Sequence, residues 1–89
     1  MRIAVIDLEN NNNVQDIILK KGTVITNFLQ ILDSGLNYQY SFTCLYDEKQ
    51  TDLVTYHFQI VTNDVNIPNS CNFVGSKYDG SDIKHLIYW

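Results

Sequence analysis

The chain has one proline, four glycines and one methionine among its 89 residues. That scarcity excludes collagen-like and low-complexity linker sequences, which are rich in Pro and Gly. Cysteine is equally sparse, with only Cys44 and Cys71. A small secreted scaffold carries more cysteines at tighter spacing, so these two are read as reduced thiols in a cytosolic protein. Six basic side chains stand against ten acidic ones, for a net charge of −4. Only Lys20 and Lys21 adjoin, and phosphate backbones and anionic membranes are bound by clustered Lys and Arg. Direct DNA binding is therefore not expected. No run approaches the ~20 apolar residues of a membrane-spanning helix. The opening Met1-Arg2-Ile3-Ala4-Val5-Ile6-Asp7 is charged too early for a signal peptide. A soluble, untargeted protein is the expectation. No glycine-rich phosphate loop occurs, and His57 and His85 have no second ligand at metal spacing, so no cofactor is expected.

What the chain does have is alternation. Tyr38, Tyr40, Phe42, Cys44 and Tyr46 alternate with Gln39, Ser41, Thr43 and Leu45. Val54, Tyr56, Phe58 and Ile60 alternate with Thr55, His57, Gln59 and Val61. A period of two in aromatic and β-branched residues is the mark of a pleated strand with one buried face. The two runs, joined by the charged segment 47–52, read as a β-hairpin. Shorter strands are expected at Ile3–Leu8, Val14–Leu19, Asn72–Ser76 and Asp82–Trp89. Asn10–Asn13 reads as a loop, and Gly22 as a turn residue with positive φ. Gly75 marks a bulge or a close backbone approach. Asp79-Gly80 suggests a type I′ hairpin turn.

Val24–Asp33 fits two readings. Val24, Phe28, Ile31 and Leu32 keep helical spacing, whereas Val24, Ile25, Thr26 and Ile31 are β-branched and favour a strand. The strand is preferred, because the neighbouring aromatic run needs a partner. The sum is one all-β domain over residues 1–89, a small antiparallel β-sandwich or barrel of about seven strands. So short a chain buries a modest share of its surface, so self-association is expected as a supplement. Trp89 is expected in the core or against another subunit.

Catalytic chemistry finds little support. Cys44 and His57 could meet across the expected hairpin, but Cys44 shares the apolar face of Tyr40 and Phe42, where a thiol is inert. The acids fall at turns and strand ends, and Asp47, Glu48 and Asp52 could form an acidic prong toward a basic partner. Lys77 and Lys84 should lie close together across the last hairpin, with Tyr78 as a stacking surface. With His57 they form the candidate ligand site, suited to a phosphate and a base.

Several short pieces occur together in order: Leu19-Lys20-Lys21-Gly22, Phe58-Gln59-Ile60-Val61-Thr62, Ile67-Pro68, Phe73-Val74-Gly75-Ser76 and His85-Leu86-Ile87. In this the chain resembles a small family of uncharacterised bacteriophage β-proteins. Lys20 stands where that family usually has proline. The resemblance transfers no catalytic residue. It implies a non-enzymatic viral protein acting in the host cytoplasm against bacterial immunity. The first expectation is a homo-oligomeric sponge that sequesters a small nucleotide messenger. The alternatives are an acidic inhibitor docking on a host defence protein, in the manner of an anti-CRISPR protein, or a virion accessory protein.

Overall fold

The computed structural model describes all residues, Met1–Trp89. Seven strands form in chain order: β1 (Arg2–Leu8), β2 (Gln15–Lys20), β3 (Val24–Leu32), β4 (Tyr38–Tyr46), β5 (Leu53–Val61), β6 (Asn72–Tyr78) and β7 (Ile83–Tyr88). They build two antiparallel sheets, one ordered β1-β4-β3 and the other β2-β5-β7-β6. The molecule is a small β-sandwich, and no strand closes it into a barrel. Val24–Leu32 is strand along its whole length, with a bulge between Ile25 and Asn27.

The inner faces follow the alternation. Tyr40, Phe42 and Cys44 of β4 meet Phe58 and Ile60 of β5 and Leu86 of β7, with Leu8 and Phe28 completing the core. Phe42 and Phe58 stack across the two sheets with ring centroids 4.3 Å apart and planes at 14°. Phe28 stacks on Tyr40 at 5.2 Å.

The expected hairpin of β4 and β5 does not form. β4 already has a neighbour on each side, β1 and β3, so no edge remains for β5. The segment 47–52 instead crosses between sheets. Local contacts fix its course: Arg2 pairs with Glu48, Lys20 Nζ donates to the Glu48 carbonyl at 2.8 Å, and Asp47 Oδ1 accepts the Lys49 N–H at 3.0 Å. It forms a sandwich corner on which Asp47, Glu48 and Asp52 are exposed.

Two hairpins do form. β3 and β4 turn at 33–37, where Asp33 Oδ1 accepts the N–H groups of Gly35 and Asn37, each at 2.9 Å. β6 and β7 turn at 79–82. Only Gly80 has positive φ there, whereas a type I′ turn needs two such residues. The turn is held instead by the Asp79 carboxylate, whose Oδ1 accepts from Ser81 N at 2.9 Å and Asp82 N at 2.7 Å. Those bonds, with Lys84 nearby, hold its pKa below the usual carboxylate value. Gly75 marks the β6 bulge, and a Cβ there would lie 3.6 Å from that of Phe28 in the facing sheet.

Candidate ligand-binding cleft

β2 begins at Gln15, opposite Phe58, yet β5 runs on to Val61. Past Phe58 the asparagine tract takes the place of a strand. Gln59 Nε2 donates to the Asn12 carbonyl at 3.0 Å, and Asn10 Nδ2 to the Tyr38 carbonyl at 3.0 Å. The tract is folded by its own side chains: the Asn13 N–H donates to Asn11 Oδ1 at 2.9 Å, and Asn11 Nδ2 to Glu9 Oε2 at 3.1 Å. Short amides bind nearby backbone readily, which is why such a sequence makes a defined loop.

Between this loop and β7 lies a cleft of about 370 Å³, with Asn10, Asn11, Asn12, Gln59, Asn66 and Lys84 in its lining. Each side-chain amide offers both donors and acceptors. Lys84 is the one charged residue of the lining. Its ammonium is 3.9 Å from Asp79 Oδ2.

A second recess, of about 230 Å³, shares Val61, Thr62 and Val65 with the first. It lies where residues 62–71 fold over the outer face of the four-stranded sheet. Ile87 is 1% exposed there although its side chain points away from the core. Phe73 on its wall is 65% exposed, with the His85 ring 5.9 Å away. His85 is fixed on both sides. The Ser76 hydroxyl and Nδ1 are 2.6 Å apart, as are Nε2 and Asn63 Oδ1. An amide oxygen only accepts, so Nε2 carries a hydrogen, and in the neutral imidazole Ser76 then donates to Nδ1. The order hydroxyl, imidazole, amide is that of a nucleophile, its base and an orienting group. The same bonds tie β6, β7 and the 62–71 loop together.

The four residues expected as a site part company. Lys77 and Lys84 are directly opposite each other across the hairpin. Tyr78 pairs with Ile83, so by strand parity its ring points to the other face from the two lysines. His57 pairs with Trp89, five residues along β7 from Lys84. That is roughly 16 Å at the usual strand rise, and an odd number of residues puts the two on opposite faces. His57 Nδ1 bonds Asp16 Oδ1 at 2.6 Å, and its ring lies 5.7 Å from Trp89. Trp89 is half-buried outside the core and held by two backbone bonds to His57, each 2.9 Å.

The amides, Phe73 and the Ser76–His85 pair were not singled out from sequence as ligand residues. The last pair follows from the hairpin register, which a sequence containing Asp79-Gly80 already suggests. No three His, Cys, Asp or Glu side chains are placed to hold a metal ion. Burial pushes the Cys44 thiol above its usual pKa, which lowers its reactivity. In comparisons with known proteins, no family model, curated protein or solved structure matches the chain.

Proposed function

We propose that the chain is a bacteriophage protein that blunts host immunity by capturing a small nucleotide messenger without turning it over. The observation that carries this reading is the amide-lined cleft with Lys84 as its one charged residue. Amides match the mixed donors and acceptors of base and ribose edges, as Asn and Gln do in reading adenine. Lys84 suits a phosphate as a point charge. The net charge of −4 disfavours long polyanions and leaves small ligands of low charge. Capture would take place in the host cytoplasm. The alternative reading, an acidic inhibitor of a host defence protein, would use the exposed Asp47, Glu48 and Asp52 of the segment 47–52.

Titration calorimetry against cyclic dinucleotides, cyclic trinucleotides and cyclic ADP-ribose variants tests the proposal. One class should bind, Lys84→Ala and Gln59→Ala should each weaken it, and the ligand should be recovered intact after long incubation. Absence of heat with all three classes refutes capture. Recovery of a cleaved product refutes its non-catalytic character.

A further inference from the structure

Sheets with one face in water alternate apolar inside and polar outside, whereas sheets covered on both faces read as continuous apolar runs. In the three-stranded sheet β1 and part of β3 approach the second pattern, while β4 alternates. Ile3-Ala4-Val5-Ile6 and Phe28-Leu29 are unbroken apolar stretches, and the inward residues already fill the core. Their neighbours form the outer face. The register places Ile3 beside Leu45 and Val24, Val5 beside Thr43 and Asn27, Asp7 beside Ser41 and Leu29, and Gln39 beside Ile31. Asp7 is the only charge in these rows. Ile3, Val5, Val24 and Ile31 are 74%, 58%, 51% and 60% exposed. The outer face of the other sheet differs. Its exposed apolar residues, among them Ile18, Leu53 and Phe73, are interspersed with Asp16, Lys20, His57 and His85, and residues 62–71 fold over part of it.

We infer that this outer face is the interface of a homodimer, packed sheet against sheet. Three observations name a second copy as the occupant. First, the face is complementary to itself. Small Ser41 and Thr43 on the central strand form a shallow trough, with Val5 and Asp7 of β1 on one side and Asn27 and Leu29 of β3 on the other, and Ile3, Leu45 and Val24 make an apolar row at one end of it. Ridges and trough are set by the same strand spacing, so a copy rotated by a twofold axis seats its β1 ridge in the trough and receives the other's in return. Second, two copies each carrying −4 repel at most surfaces, and this face, with its single carboxylate near one end, is where they meet with least opposition. Third, the area fits. The chain exposes 5882 Å², about 500 Å² more than a typical monomer of 10.3 kDa. One partner contributes roughly 800 Å² to a standard interface, so dimerisation would more than remove the excess. The inference does not depend on what the amide-lined cleft binds.

Sedimentation of the full chain over low to high micromolar concentration tests it, with Val5→Lys and Ile18→Lys as a matched pair. Val5 and Ile18 are both β-branched, exposed and on edge strands, but on opposite outer faces. Circular dichroism melts confirm that both variants are folded. The wild type and Ile18→Lys should dimerise alike, while Val5→Lys should raise the dissociation constant by about a hundredfold or more, because it buries an unpaired ammonium. A wild type monomeric throughout overturns the inference and points to a foreign partner for the face. A Val5→Lys variant as dimeric as the wild type, or dissociation caused by Ile18→Lys, overturns the assignment of the face.

Discussion

The Phe42–Phe58 stack is the central contact between the sheets, and removing one ring should come close to unfolding the protein. Both residues are 0% exposed, and they come from strands that share no hydrogen bonds. Their contact is therefore purely one of packing between layers. Truncating a buried Phe to Ala costs about 3–5 kcal/mol, through lost transfer energy and the cavity left behind. A domain of 89 residues has roughly 4–13 kcal/mol of stability in total. Phe58→Ala thus removes about a quarter of it at the least and all of it at the worst. With a urea slope of about 1.5 kcal/mol per molar, the unfolding midpoint falls by about 2–3 M. Phe58→Leu keeps most of the volume and should cost only about 1 kcal/mol. Urea titrations followed by circular dichroism at one fixed protein concentration give both values. A double-mutant cycle with Phe42→Leu should return about 0.5–1.5 kcal/mol of coupling from the ring geometry. If Phe58→Ala shifts the midpoint no more than Phe58→Leu does, the two sheets are not joined through this stack.

Three further outcomes follow from the packing and the turns. Ellman's reagent should titrate the half-buried Cys71 in the native protein and reach Cys44, 1% exposed, only after unfolding; fast reaction of both thiols would contradict the core. The lowered pKa of Asp79 means its turn contacts stabilise the fold above the ordinary carboxylate value of about 3.9 and are lost as pH falls through the lower folded value, so amide exchange at Ser81 and Asp82 should quicken in that acid range and, in Asp79→Ala, should be fast already at neutral pH. His85→Ala removes the partner of both Ser76 and Asn63 and should destabilise by about 1–2 kcal/mol, with faster hydrogen exchange concentrated in residues 62–71.

The strands were legible because one-sided burial imposes a period of two, and Tyr38–Tyr46 shows it with aromatics on the buried side. Val24–Asp33 resisted reading for a reason now visible. Val24, Leu29 and Ile31 face outward while Ile25 and Phe28 face inward, and apolar residues on both faces erase the alternation that separates strand from helix. The supposed β4–β5 hairpin shows a different limit. A six-residue charged link suits a hairpin and a sheet-to-sheet corner equally, and the choice is made by β1 and β3, which claim both edges of β4. The ligand site was partly legible. The hairpin at Asp79-Gly80 brings Lys77 and Lys84 together, as its turn residues suggest. His57 is separated from them by the β5–β7 register, a pairing of distant segments with no local signature. The asparagine tract read as a loop, but its place in the cleft wall depends on β2 ending short of β5.

The switch of sheets after β4 also orders events in time. Only β3–β4 and β6–β7 are adjacent in sequence as well as in space; every other pairing joins strands separated by at least one intervening strand. Closing long loops is slow, so these two hairpins are the natural early structures, and their docking creates the edges that β1, β2 and β5 complete. On the ribosome, β1 emerges first but has no partner until residues 38–46 have been made. The nascent chain must therefore carry its most apolar edge uncovered until β4 has been made.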